Sequence, residues 1–384
     1  MNHKIIIIGA GASGLMLASL LPKNSAILIE SYSKIAAKIR ISGGGKCNIT
    51  NSDMHEKHFL GAQDFIRTVL ESYDEKSLLQ WLKKHHLNPI LRKERQYFCR
   101  DSSQELIDIF TKETQKQQIY VNETVLSAEK RGAYFTVKTT KRTYTSKYLV
   151  IASGGLSFPK IGASSIGYDI ATSFGHSIIP TAPALVGFTV QKEQFFFKAL
   201  SGTSCSVIVK INEIRCPGEL LFTHKGISGP AVLDASLFWA KGQIEIDFLP
   251  SFSWETIRGS KKYISALLPL PKRITKAFLV QLGLEDKSFL KCCPEEIMKL
   301  KQLHAYRFAP AGTFGYSKAE VTKGGISTKE VDSYTMMSEK EERLYFIGEV
   351  LDVTGKLGGY NFQWAFSTAY QCFKHVKNIG ERKK

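Results

Sequence analysis

The opening thirty residues limit what this chain can become more than any other stretch. Lys4-Ile5-Ile6-Ile7-Ile8 is a short apolar, β-branched run, which predicts a buried parallel strand. It passes directly into Gly9-Ala10-Gly11-Ala12-Ser13-Gly14, and Leu15 to Leu21 then reads as a helix. A G-x-G-x-x-G between a strand and a helix has a mechanical reading. Gly9 permits the tight turn, Gly11 lets the backbone approach a pyrophosphate, and Gly14 lets the helix sit close on the strand. The free N–H groups of the helix start face the phosphates. Ala26-Ile27-Leu28-Ile29 predicts a second buried strand. It ends at Glu30, 21 residues after Gly9, where a ribose-binding carboxylate belongs. The set points to an adenine-dinucleotide site. A glycine-rich structural turn would leave Glu30 unexplained.

With 384 residues the chain can bury a large core and form two or three domains. No apolar run approaches the ~20 residues that cross a bilayer. The Ile5–Ile8 run is too short for the core of a signal peptide, so the cytoplasm is the expected location, without membrane contact. The seven cysteines are odd in number and contain no C-x-x-C, which argues for reduced thiols and against a disulfide framework or a zinc site. Cys292-Cys293 reads as two ordinary helix residues rather than a redox couple. The net charge of +17 fits a polyanionic partner, nucleic acid above all, or simply many lysines on solvated faces.

Further along, Lys38-Ile39-Arg40-Ile41-Ser42-Gly43-Gly44-Gly45-Lys46-Cys47-Asn48 combines three glycines with three cations. Successive glycines can present backbone N–H groups to a ligand, so this stretch is expected to form a second wall of the cofactor site. Phe65 to His86 and Ser103 to Gln117 read as helices. Arg92 to Arg100 is basic and aromatic, either a solvated hairpin or a face toward an anionic substrate. Tyr134 to Thr139 alternates as a half-exposed strand does. Lys147 to Ala152 reads as a buried strand ending at Ser153-Gly154-Gly155, a position that lines the ligand crevice in such sheets. From Leu185 to Phe248 strands dominate, which suggests a β-domain, as a barrel. In it, His224 either donates a proton near a flavin or caps a turn. Residues 258 to 301 read as helical and hold ten Lys or Arg against four acids. This basic insert is the expected nucleic-acid contact, with a solvated charged face as the plainer alternative. Leu344 to Ile347 predicts the last buried strand, followed by Gly348-Glu349-Val350-Leu351-Asp352. Gly358-Gly359-Tyr360-Asn361 then opens a final helix, and Met336-Met337 is a candidate flavin neighbour. Glycines at the ends of three buried strands suit a flavin and its ribityl chain.

Taken in order, GAGASGLMLA at 9–18, ISGGGKCN at 41–48, ASGGLSFPKIGASSIG at 152–167, GELLFTHKGISGPAVL at 218–233 and IGEVLDVTGKLGGYNFQWAF at 347–366 resemble the BaiN/RdsA-like (YhiN-like) flavoproteins. The likeness covers nearly the whole chain. It implies FAD, a choice over NAD that the first glycine motif alone leaves open. It also implies a class of α/β + β architecture: a Rossmann-like FAD-binding domain (1–183 and 329–384), an inserted β-barrel-like domain (184–250 and 304–328), and a small basic helical domain nested in that (251–303). Carried over, Gly9, Gly11, Ala12, Ser13 and Gly14 meet the pyrophosphate and Glu30 the ribose. Lys38, Gly44, Gly45 and Lys46 wrap the dinucleotide. Val125 meets adenine through its backbone, Ser153 and Gly154 line the crevice, and Gly348, Glu349, Asp352, Gly359, Tyr360 and Asn361 surround the flavin. The chain has Lys46 where arginine is usual and Ser153 where threonine is usual. The first keeps charge but loses bidentate geometry.

The resemblance further implies a reductase acting on a carbon–carbon double bond, by hydride from flavin N5 and a proton from an acid. The substrate is either uridine in ribosomal RNA, giving dihydrouridine, or a steroid-acid enone. Cys47 and then His224 are the acid candidates, and Cys47 is equally readable as a packed thiol. The charge favours RNA. No second G-x-G-x-x-G stands between a strand and a helix, so NAD(P)H, if it is the electron donor, docks transiently. An amine oxidase and a non-catalytic, flavin-stabilised RNA-binding factor are the rival readings. The sequence carries no signal for oligomeric state.

Overall fold

The computed structural model describes residues 2–377 with the exception of Glu94. Two compact units divide the chain: Met1–Ala182 with Val321–Lys384, and Pro183–Glu320.

The first unit is built on β1 (Asn2–Ile8), α1 (Ala12–Leu20), β2 (Ala26–Ile29), β3 (Gln118–Tyr120), β4 (Val125–Arg131), β5 (Tyr134–Thr139), β6 (Thr143–Ile151), β7 (Leu344–Phe346) and α2 (Tyr360–Val376). Its sheet has the order β3-β2-β1-β6-β5-β4, with β7 also paired to β6. Strand β6 is shared along its length. Thr143–Ser146 pair antiparallel with β5, and Leu149–Ile151 pair parallel with β7. The parallel register aligns Ile8 with Ile29 and with Ile151, and Ile151 with Phe346. Four strands therefore stop on one line, and the residues that follow them leave the sheet along one edge. Both faces of the central strands are covered, so Ile5–Ile8, Ala26–Ile29 and Leu149–Ile151 are buried without alternation. Helix α1 is buried from Ser13 through Ser19 and packs against α2.

Local chemistry refines the expected elements. The helix expected from Phe65 to His86 is two helices, Gln63–Ser72 and Glu75–Lys84. Asp74 breaks them by accepting the Ser77 N–H at 2.8 Å as an N-cap. The basic stretch 92–100 contributes two short strands, Ile90–Arg92 and Gln96–Phe98, that form a small sheet with Asn48–Asn51.

The second unit is a seven-stranded antiparallel sheet with helices against it. Its edge strands are Tyr306–Phe308 and Gly312–Thr313. Only residues 309–311 join these edges, a reach of at most ~15 Å, so the sheet curls until its edges are near one another while its backbone path stays open. The basic helical segment packs on the sheet of this unit. Ile264, Leu268, Ile274, Phe278 and Leu300 share one apolar core with Phe197, Phe222 and Phe248 of the sheet side. Among the described residues no helix is long and apolar enough to cross a membrane.

Candidate functional site

The aligned strand ends of the first unit place Gly9, Glu30, Ser153-Gly154 and Gly348 along one edge. The three motif glycines there have different neighbours. A Cβ at Gly9, where φ is +106°, would lie 2.5 Å from the Ala152 carbonyl oxygen, and one at Gly14 would lie 2.1 Å from the Gly9 carbonyl oxygen. These two are needed by the protein itself. Gly11 has φ −86°, open to any residue, and a Cβ there would meet nothing within 4 Å. Its lack of a side chain serves no contact inside the chain. It leaves the backbone at the start of α1 open to a ligand, as a pyrophosphate requires.

Glu30 is held in place by the turns around it. Its Oε2 accepts the Ala10 N–H at 2.8 Å and its Oε1 the Tyr32 N–H at 2.8 Å. Each carboxylate oxygen keeps acceptor capacity for ribose hydroxyls. The loop 159–165 comes over this acid: Ser31 Oγ donates to the Gly162 carbonyl at 3.3 Å. Val125 opens β4 at a register shift between Val125 and Ser127, where the ladder to β5 is interrupted.

The second wall is a short helix, Ala37–Ile41, followed by a tight turn, Ser42–Gly45, with φ of +55°, +66° and +85° at Gly43, Gly44 and Gly45. A Cβ at Gly44, Gly45 or Gly154 would meet nothing within 4 Å. Lys46 is exposed. Lys38 is engaged with Glu349 at 2.6 Å, and Glu349 Oε1 also accepts the Thr322 N–H at 2.9 Å. Thr322 Oγ1 in turn accepts the Leu156 N–H at 2.8 Å. Four segments, at residues 38, 156, 322 and 349, are thereby tied together, with Lys38 paired to a carboxylate.

At the last strand, Gly348 has φ +79°, and its N–H donates to Thr368 Oγ1 at 2.9 Å. A Cβ on it would strike Ser13 Oγ at 2.6 Å, so this glycine lets the loop lie against α1. Asn361 accepts the Gly355 N–H and donates to the Gly355 carbonyl, both at 2.9 Å, which closes the turn at the start of α2. Gly359 backs onto the Thr50 carbonyl, and the Tyr360 ring lies 4.9 Å from the His58 ring. His58 Nε2 bonds Asp53 Oδ2 at 3.1 Å, and Asp53 pairs with Arg95 at 2.7 Å. Burial pushes the Asp352 carboxyl above the usual range, and its own N–H donates to the Ile326 carbonyl at 2.9 Å. Asn48 donates to Gln96 at 2.8 Å, while its side-chain oxygen is buried without a partner in the protein. An orphaned buried acceptor beside an open glycine turn is what a missing hydrogen-bond donor on a ligand leaves behind. The residues present fit FAD: Gly11, Gly44, Gly45 and Gly154 leave open backbone, Glu30 keeps acceptor capacity, and Asn48 holds a buried acceptor without a partner in the protein.

Of the two proposed acids, Cys47 lies between Lys46 and Asn48, and His224 belongs to the second unit. Cys47 has φ +45° and is 0% exposed. The side-chain hydrogen bond with Cys99, and then burial, push its thiol well above the ordinary range, so it stays protonated and out of solvent. His224 is exposed in the turn between Ile214–Thr223 and Gly226–Ser228 of the second unit. The sequence reading missed Thr322 and the Asn48–Gln96 pair. Asn48 lay inside a recognised motif. Thr322 had no signal at all, since its partners come from loops distant in sequence.

Of the ten basic side chains in 258–301, Lys287 is paired with Glu296 at 2.8 Å, and Arg273 donates to backbone carbonyls at Ala199 and Ser201. Among the described residues, no carboxylate forms an ion pair with the other eight.

The Rossmann-like sheet and the relatives it matches place this chain in a class, the FAD-dependent oxidoreductases. Within that class the chain belongs to the HI0933-like family, whose Rossmann-domain model matches residues 3–375. It is 37% identical over 387 residues to a ribosomal RNA dihydrouridine synthase of Haemophilus influenzae, covering 96% of each chain. It is 38% identical over 385 residues to the protein of the same name in Escherichia coli, again over 96% of each. A 3-dehydro-bile acid delta(4,6)-reductase of Clostridium scindens is 28% identical over 402 residues, with 96% of this chain and 97% of the relative covered. Among solved structures, the FrdA subunit of Escherichia coli quinol fumarate reductase is similar in fold, with TM-score 0.55 at 12% identity over 100% of this chain and 71% of that one.

Proposed function

We propose that this protein reduces uridine in ribosomal RNA to dihydrouridine. The whole-length identity of 37–38% to two relatives bearing that name carries the reading. The net charge of +17 and the unpaired cations of the helical segment support it, because an RNA substrate brings many phosphates and a small steroid brings none. FAD, when bound and reduced by the electron donor, would supply a hydride to one carbon of the 5,6 double bond, and a proton would complete the other. The chain's part is to hold the dinucleotide through Gly11, Glu30 and the Gly43–Gly45 turn, and to keep the flavin end against Gly348 and Gly359.

We assign Cys47 a packing role beneath the glycine turn, because its buried thiol is a poor proton donor. His224 remains the proposed donor, on the sequence argument and on its access to solvent. The electron donor proposed is NAD(P)H, docking transiently, and the proposed location is the cytoplasm. A second reading, reduction of a small enone, is favoured by the Clostridium scindens relative.

A dihydrouridine map of ribosomal RNA tests the reading, comparing the parent strain with one lacking the gene. Loss of a dihydrouridine, restored by the intact gene but not by Gly11→Trp, is expected. An unchanged map would remove the RNA reading and leave the small-enone one.

A further inference from the structure

In the helical segment of the second unit two short stretches run antiparallel. The Leu290 N–H donates to the Ser260 carbonyl at 2.9 Å, the Phe289 N–H to the Lys262 carbonyl at 3.0 Å, and the Ile264 N–H to the Lys287 carbonyl at 3.0 Å, with Tyr263 bridged to Ser288. Tyr263 is extended at this bridge, and the buried Ile264 and Phe289, which open the short helical turns Ile264–Leu267 and Phe289–Lys291, anchor the pair. Tyr263 is turned outward and is 59% exposed, and Leu290 is 56% exposed. Lys261, Lys262 and Lys291 flank them, all exposed and all without an ion-pair partner among the described residues. No other aromatic ring among the described residues stacks on Tyr263; the ring contacts of this segment run instead through Trp254, Phe278 and Phe289.

A solvated face needs lysines but has no use for an exposed tyrosine and leucine between them. A duplex-binding face needs cations spaced along a backbone and gains nothing from an exposed ring, since paired bases are stacked inside the helix. A ring flanked by uncommitted cations is the arrangement that holds unpaired nucleotides, with a base on the ring and phosphates on the ammonium groups. We propose that Tyr263, with Lys261, Lys262 and Lys291, forms a stacking platform for single-stranded RNA. The proposal rests on the RNA reading above and narrows it to an unpaired segment of the substrate.

The test uses the full-length FAD-loaded protein and a single-stranded uridine RNA of about 12 nucleotides, with an RNA duplex of equal length as control. Tyr263→Ala is expected to weaken single-strand binding roughly tenfold or more while changing duplex binding little. Tyr263→Trp is expected to keep the affinity and to add tryptophan fluorescence that the single strand quenches beyond the wild-type signal. Lys261→Glu with Lys262→Glu should weaken binding and flatten its salt dependence by a slope of roughly one to two. Wild-type affinity in Tyr263→Ala, unmoved fluorescence in Tyr263→Trp, or no single-strand binding by the wild type would each overturn the platform. The dihydrouridine map separates the two ideas. A map that depends on the gene beside a neutral Tyr263→Ala sinks only the platform. A lost affinity in Tyr263→Ala beside an unchanged map keeps the platform and sinks the reaction.

Discussion

Three glycines within six residues do three different jobs, and substitution separates them. Gly14→Ala forces a methyl group onto the Gly9 carbonyl and is expected to destabilise the flavin-free protein by about 2 kcal/mol or more. Gly11→Ala meets no atom of the protein. It should leave flavin-free stability unchanged or slightly raised while weakening FAD binding tenfold or more, as read by denaturant unfolding beside a flavin fluorescence titration. The residue types were legible in sequence from spacing alone. The same spacing assigns Gly9 and Gly14 to the protein and Gly11 to the ligand; it could not show the atoms Gly9 meets, because Ala152 is brought in at the end of β6. Cys47 shows the same limit: its motif marked a thiol near the cofactor, but the buried partner Cys99 was invisible. Cys47→Ala should cost far less turnover than the roughly hundredfold that loss of a general acid brings. Asp352 titrates above the ordinary carboxyl value because it is partly buried. In the flavin-free protein its proton is therefore held more tightly in the folded than in the unfolded state. That contribution to stability is full below about pH 4 and is lost as pH rises through the folded value. Asp352→Asn should raise the melting temperature of the flavin-free protein at pH 7 and leave it unchanged near pH 3.

At the scale of elements, the return of the chain into the first unit depends on a polar latch. Glu330 accepts the Ser177 N–H at 2.7 Å and pairs with Lys340 at 2.6 Å, while the buried His176 bonds Ser338 at 2.7 Å. Burial alone would raise the Glu330 carboxyl, but Lys340 and Ser177 outweigh it and bring it down to about 2. Burial lowers His176. Stability from Glu330 is present above the unfolded carboxyl value and is lost as pH falls through the folded one. Stability from His176 is lost as pH falls below about 6.5, because only the unfolded chain takes up that proton readily. Glu330→Gln is expected to lower the melting temperature by a few degrees at pH 7 and by less near pH 2, in a calorimetric pH series. Elements made from continuous apolar runs, β1, β2 and β6, could be read directly, since a strand buried on both faces has no other composition. The latch could not be read. Neither could the Asp74 break, where one cap divides what helical spacing alone would continue.

For the whole molecule, the sequence pattern marked the Rossmann portion and the strand-rich portion. It separated off a helical domain that in the structure shares a core with the sheet. That shared core could not be read, because amphipathic helices show one apolar face in sequence but not which partner that face will meet. Charge, by contrast, is legible without a fold. If the basic surface carries RNA, affinity should fall steeply between about 50 and 200 mM salt, whereas turnover of a small uncharged enone should barely respond. The most direct test of the central claim is a defined reduction. Ribosomal RNA from a strain lacking the gene is incubated, with oxygen excluded, with the FAD-loaded protein and NAD(P)H, and its dihydrouridine is measured by mass spectrometry. The account predicts new dihydrouridine at one position, absent with Gly11→Trp. RNA left unchanged, by a protein that under the same conditions reduces a steroid enone, would contradict it.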